Sequence, residues 1–288
     1  MKYKRVIIYF LLVFIMTFFN FYLRPIKGNP LITEEYKNSS NYINGLYMSD
    51  EYFKTSLLNK EDYYIYDAII DGSFNDKEVV TIKCSNDCLE TFTNAYNAIY
   101  LDHPELISFL GISFFEVDND KITYKNYNNI GKIRSILGTM RIEREMENIR
   151  KDTNGMDDKD KILYVYNYVA SHNYDKMFTY MGSNQSAYSF FTKKSSVCAG
   201  FAKASQIIFQ NIGIKSYLVM SSDHMWNYVE YDGKYYIFDA TVGASYSIKT
   251  VDGYYDGLKK TTTDDAIPSY RELYPPIEET SLRQLFGI

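Results

Sequence analysis

SSVCAGFAKASQIIFQNIGIKSYLVMSSDHMWNYVEYDGKYYIFDATV, residues 195–242, is the stretch whose reading decides the fold. Ser195 to Gly213 reads as one helix, with serines before it and Gly213 placed as its C-terminal stop. The pattern then changes to strands. Ile214 to Met220, His224 to Tyr231 and Lys234 to Ala240 are strand-like, and Asp232-Gly233 between the last two is a strong signal for a tight hairpin. A helix is thus followed at once by adjoining strands.

A two-residue loop at Asp232-Gly233 sets Tyr231 opposite Lys234. Counting back pairs Trp226 with Asp239 and His224 with Thr241. Because side chains alternate along a strand, His224 and Asp239 then share a face as diagonal neighbours, within reach for a carboxylate to orient an imidazole. Cys198 stands where the loop becomes a helix, and there the helix dipole and free N–H groups favour a thiolate. His224 can take the thiol proton and return it to a leaving amine, Asp239 can hold the imidazole tautomer, and the N–H of Cys198 is a natural oxyanion donor. A lone Cys before a helix is usually a small buried hydrophobe, and a His on a strand is usually a core residue. The three types occurring together in matching contexts favour a catalytic triad of Cys198, His224 and Asp239. Trp226, the single tryptophan, walls a substrate channel or fills the core. Gln185 lies in the loop before Cys198 and is a candidate oxyanion helper with no diagnostic spacing.

Upstream, Asp157, Asp158 and Asp160 open a helix whose apolar face is Ile162, Val165, Tyr166 and Val169. His172 ends it. Earlier signals are a helix over Glu61 to Asp71 stopped by Gly72, a strand over Glu78 to Cys84, and a helix through Leu89, Phe92, Tyr96 and Ile99. Next come a hairpin of Phe114 to Val117 with Lys121 to Tyr127, and a helix through Ile133, Leu137, Met140 and Ile149. Asp102-His103-Pro104-Glu105-Leu106 carries no chemistry that can be named and reads as structural. Cys84 and Cys88 form a small disulfide in an oxidising compartment, which leaves Cys198 as the free thiol, or they stay reduced. Neither pair spacing nor the histidines suggest a metal site, and no cofactor is expected.

Lys2, Lys4 and Arg5 precede an apolar run from Val6 to Leu23, near the lower length limit for crossing a bilayer. The run is bulky and aromatic where a cleaved signal would end in small residues, so a retained anchor is expected, with secretion after cleavage as the alternative. The chain then lies outside the cytoplasmic membrane. With a formal net charge of -5, it lacks the basic surface that nucleic acid requires. The expected plan is an anchor or signal segment over 1–28, a tether over 29–58, an α+β region over 59–150 and the catalytic domain over 151–288.

Ser196-Val197-Cys198-Ala199-Gly200-Phe201-Ala202, His224-Met225-Trp226-Asn227 and Asp232 through Thr241 resemble the core of the transglutaminase-like superfamily, in a bacterial, membrane-anchored form. Asp160-Lys161-Ile162 and Asn173-Tyr174-Asp175 match the helix and turn ahead of that core. The resemblance spans about residues 157 to 242. Phe201, where Tyr is common, and Met225, where a small residue is common, depart from the pattern without removing a catalytic group. The resemblance implies a papain-like α+β fold, a nucleophile helix packed on an antiparallel sheet, and thioester chemistry on protein or peptide amides, including those of the cell surface. It also leaves room for a cysteine protease or peptidoglycan amidase of the same fold, and for a catalytically silent, membrane-tethered scaffold.

Overall fold

From the N-terminal side, helix α1 (Tyr52–Leu57) and a 3-10 turn (Lys60–Asp62) lead into α2 (Tyr63–Phe74), strand β1 (Val79–Lys83) and α3 (Cys88–Asp102). The hairpin β2 (Ile112–Asp118) and β3 (Lys121–Asn126) completes a three-stranded antiparallel sheet in the order β1-β3-β2. Helices α4 (Lys132–Asp152) and α5 (Asp158–Ala170) follow, then the short strand β4 (Asn173–Tyr174), a 3-10 turn (Ser183–Gln185), α6 (Ala187–Lys193) and β5 (Ser195–Ser196). The last part is α7 (Cys198–Asn211), strands β6 (Ser216–Met220), β7 (Met225–Tyr231) and β8 (Lys234–Phe238), α8 (Ala240–Ser245), a 3-10 turn (Asp256–Leu258) and α9 (Leu282–Phe286). Strands β6 to β8 form a second antiparallel sheet, in the order β8-β7-β6. The fold is α+β.

This computed structural model describes residues 42–43, 46–47, 51–74, 79–84, 88–106, 112–118, 120–126, 130, 132–176, 183–221, 223–245, 254–259 and 272–288. The chain divides into a unit Met1–Gly45 and a unit Leu46–Ile288, and the architecture here is that of the second. The expected anchor over 1–28 and most of the tether lie outside the described residues. Among the described residues, no helix is long and apolar enough to cross a membrane.

Helix α7 is the axis of the fold, with all fourteen of its residues buried. Its two faces differ in size and serve different cores. Ala199 and Ala202 enter the core built from α1 to α3 and the first sheet, together with Leu218 and Trp226 from the second sheet. Phe201, Ala204, Ile207, Ile208 and Phe209 enter the other core, with α4, α5, α6 and Phe238. A helix buried on every side must satisfy its polar residues internally. Ser205 Oγ donates to the Phe201 carbonyl at 2.9 Å, Gln206 Nε2 to the Leu101 carbonyl at 3.3 Å, and Asn211 Nδ2 to the Ile207 carbonyl at 2.8 Å. Gly200 is required by contact, because a Cβ there would stand 1.8 Å from Ser196 Oγ.

The local signals hold where chemistry is local. Asp157 caps α5, accepting from the Asp160 N–H at 2.8 Å, and Ile162, Val165, Tyr166 and Val169 are all buried. Ile214 N–H closes the end of α7 on the Phe209 carbonyl at 2.9 Å, the bond expected beyond a left-handed glycine. Four expectations shift. Helix α2 runs through Gly72 to Phe74, since burial of Ile65, Tyr66 and Ile69 outweighs the roughly 1 kcal/mol that a helical glycine costs. In α4 the buried stripe is Ile142, Met146 and Ile149, whereas Leu137 is exposed. Residues 52–58, assigned to the tether, include a helix whose Phe53 is 1% exposed. The boundary expected at residues 150 and 151 falls inside α4, whose buried face belongs to the same core as α5 and α7.

Candidate active site

Cys198 is the first residue of α7, behind Val197, whose extended backbone supplies no side-chain cap. The N–H groups of the first turn therefore have no side-chain acceptor competing for them. The segment ahead of Cys198 is held from several directions. β4 and β5 pair in parallel with Tyr174 opposite Ser196, and the Asp175 N–H donates to the Ser196 carbonyl at 2.7 Å. Ser196 Oγ donates to the Asn184 carbonyl at 2.6 Å, and that carbonyl also accepts from the Val197 N–H at 3.3 Å. Gln185 lies in this same 3-10 turn, one residue from Asn184, which places it beside the segment that sets Cys198.

The β7–β8 hairpin has the register read from its turn. Lys234 faces Tyr231 and the ladder runs to Phe238 opposite Asn227, with Asp232 at φ 51° and Gly233 at φ 72°, as a two-residue turn of this kind demands. The ladder stops one pair short of Asp239, so the expected strand to Ala240 and the pairing of His224 with Thr241 are not formed. Asp239 turns the chain into α8 instead, its Oδ1 accepting the Thr241 N–H at 3.0 Å in the manner of a helix cap. His224 stands just outside β7 in a turn where its N–H donates to Ser221 Oγ at 3.0 Å and its carbonyl accepts from the Ser221 N–H at 2.9 Å. The two residues meet past the ends of their strands, with His224 Nε2 2.7 Å from Asp239 Oδ2.

Asp239 is positioned from behind by a close approach. Its N–H donates to the Gly257 carbonyl at 2.9 Å, and a Cβ on Gly257 would lie 1.8 Å from the Asp239 carbonyl oxygen. The ring of Trp226 stacks on that of His224, with centroids 5.7 Å apart at 19°. Trp226 is thus both a neighbour of the imidazole and, at 8% exposed, part of the core. A cleft of about 170 Å³ lies against His224 and Asp239, walled by Trp226, Ile237, Val242 and Lys259.

Burial works to lower the basicity of His224, but hydrogen bonds to Asp239 and Cys198, and their charges, outweigh it and raise its pKa to about 10. Since Asp239 occupies Nε2, the ring nitrogen left for the thiol is Nδ1. All three residues singled out in the sequence are therefore brought together. The structure adds residues that had no expected role at the site. Tyr100 and Tyr174 both lie within the field of Cys198, and Tyr174 also within that of Asp239. Cys84 and Cys88 are joined in a disulfide, leaving Cys198 as the free cysteine. Among the described residues, no group of three His, Cys, Asp or Glu side chains is placed to hold a metal ion.

The family profile of the Transglutaminase-like superfamily matches residues 147–240, a span that contains Cys198, His224 and Asp239. Among solved structures, the chain matches one described as "Crystal structure of a TGase", at 18% identity and a TM-score of 0.34, over 67% of this chain and 60% of that one. The match thus spans less than two thirds of that protein's length. No curated protein matches the chain. The core that begins in α4 and ends one residue beyond Asp239 is thus similar to the transglutaminase-like superfamily.

Proposed function

We propose that the chain is a transglutaminase-like thiol enzyme that acts outside the cytoplasm on protein or peptide amides. The observation that carries this reading is the imidazole of His224, held at 2.7 Å by Asp239 and within the electrostatic reach of Cys198. Cys198 gives its proton to His224 and attacks the amide carbonyl. The carbonyl oxygen takes up negative charge beside the uncapped first turn of α7, and collapse expels ammonia or an amine protonated by His224. The thioester left on Cys198 then passes to an amine or to water. Asp239 keeps the imidazole oriented throughout and compensates its positive charge.

The extracytoplasmic setting is supported by the disulfide, a linkage that persists in oxidising compartments. The basic and apolar segment at residues 1–28 would then serve as the anchor. Incubating the full chain with a glutamine-containing peptide and a dansylated alkylamine tests the chemistry. Ammonia release with amine incorporation, both abolished by Cys198→Ala, is the expected result. New peptide termini without incorporation would replace cross-linking by a protease or amidase activity. No turnover of amides in cell-surface extracts, together with a Cys198 thiol no more reactive than an ordinary cysteine, would leave a scaffold.

A further inference from the structure

Helix α9 lies beyond the span matched by the family profile, yet it reaches the triad through one short turn. A capping box fixes its start, with Ser281 Oγ accepting the Gln284 N–H at 3.3 Å and Gln284 Oε1 accepting the Ser281 N–H at 3.0 Å. Leu282 and Phe286 seat it in the core shared with α5 and α7. So placed, Arg283 donates from Nη1 to Asp256 Oδ1, and its Nε donates to the Ile288 carbonyl at 2.9 Å, which orients the guanidinium. Lys259 Nζ stands 2.7 Å from the same Asp256 oxygen, but its side chain is 52% exposed against 16% for Arg283. Solvent screens the lysine more, so Arg283 is the firmer tie. Asp256 is followed by Gly257, whose carbonyl accepts the Asp239 N–H at 2.9 Å. A Cβ on Gly257 would meet the Asp239 carbonyl and the Tyr166 hydroxyl within 3 Å. A contact packed this closely passes a displacement on and does not absorb it.

We propose that Arg283 is a positioning residue for the triad: through Asp256 it holds the 256–258 turn against Asp239 and so keeps that carboxylate on the His224 imidazole. The contacts are continuous, from Arg283 to Asp256, along the chain to Gly257, from the Gly257 carbonyl to the Asp239 N–H, and from Asp239 Oδ2 to His224 Nε2 at 2.7 Å. Thr241 holds the other carboxylate oxygen at 3.0 Å, so the turn and α8 grip Asp239 from two directions. Asp256 and Gly257 also wall the cleft, whereas Arg283 does not, and it acts there only through them. The other ionisable groups facing the His224–Asp239 pair are Cys198, Tyr174 and Tyr166, with Asp223 and Lys259 along the cleft.

The proposal rests on His224 and Asp239 being the catalytic pair, and two readouts on the full chain test it. Ammonia release from a glutamine peptide reports turnover, and nuclear magnetic resonance of labelled histidine reports the imidazole itself, one of three in the chain. Arg283→Ala should lower kcat roughly 3- to 10-fold with KM nearly unchanged, and should bring the His224 titration, raised to about 10, down by about one pH unit. Arg283→Lys should recover most of both. Asp256→Asn should reproduce the displacement, and combining it with Arg283→Ala should add little, since both break one tie. Where Arg283→Ala fails to fold, Asp256→Asn carries the test. A titration that stays in place while the melting temperature falls would make α9 a brace alone and overturn the proposal, as would a loss confined to KM. If the titration moves as expected but Cys198→Ala leaves turnover intact, the nucleophile reading fails and the tie from Arg283 to Asp239 stands.

Discussion

Two histidines in this chain each hold a carboxylate at 2.7 Å, and only one of them stands in a site. His224 pairs with Asp239 beside a thiol and a cleft, its side chain 36% exposed. His103 pairs with Glu105 in the N-terminal region with its side chain 0% exposed, and its Nε2 has no partner among the described residues. Asp102, next to it, accepts the Phe53 and Lys54 N–H groups at 3.0 and 2.9 Å and so caps α1. The same dyad geometry therefore does two jobs. Access and a neighbouring thiol fit one to the proposed proton transfer, while complete burial confines the other to the structure beside the Asp102 cap of α1.

The largest expected effect separates the two. His224→Ala should reduce turnover by roughly 10³-fold or more, as loss of a triad base does, with little change in melting temperature. His103→Ala should do the reverse, because removing one partner strands Glu105 as a buried charge, at a cost of about 3–5 kcal/mol. Thermal melts and ammonia release on both variants make the comparison. Similar stability losses in the two would break it.

Next in size is the pH response of the exposed pair. Because the His224 pKa is raised to about 10, the stabilisation from its charged form is complete below the ordinary value near 6.5 and disappears as pH rises through about 10. The imidazolium should thus persist across neutral pH, and the alkaline limb of the rate profile should lie near 10. Asp239→Asn removes the raising partner. Its alkaline limb should move toward neutrality, and turnover should fall by roughly 10²- to 10⁴-fold. A limb that stays in place would show that Asp239 does not set the imidazole's basicity.

What could be read from the sequence follows from how local its cause is. The Asp232-Gly233 turn fixes five strand pairs by its own backbone chemistry, and counting from it brought His224 toward Asp239. The actual meeting needs the cap of α8 and the close approach of Gly257, eighteen residues further on, which no period announces. Helix α1 is six residues long, too short to display an apolar face, and its existence depends on a carboxylate about fifty residues away. The charged motif at 102–105 read as structural, and burial accounts for its charges.

Asp102→Ala sharpens the contrast from the buried side. It strands two N–H groups of α1, which should cost about 2 kcal/mol. Burial pushes the Asp102 carboxyl up to about 7, against the N–H bonds and the nearby His103 that favour its charged form. A raised carboxyl contributes stability that is complete below its ordinary value near 3.8 and is lost as pH rises through about 7. Wild-type melting temperature should therefore show a decline across that window that the alanine variant lacks. Tyr66, Glu51 and Glu105 face the same cluster, and titration of His103 adds its own loss at higher pH, since its pKa is raised as well.

The smallest effect is expected at the disulfide. Cys84 and Cys88 close a loop across the junction between β1 and α3. In the chain-entropy account, closing so short a loop is worth about 2 kcal/mol, less than the same bond across a long one. Replacing both cysteines by serine should lower the melting temperature modestly. Cys198 alkylation should be unchanged, because α3 is anchored at its far end by Asp102 and by Gln206 on the Leu101 carbonyl. If the double variant instead slows alkylation, the register of α3 against α7 depends on the bond at its start. The N-terminal region would then be tuning the thiol through the full length of that helix, and the separation between a stabilising half and a reacting half would not hold.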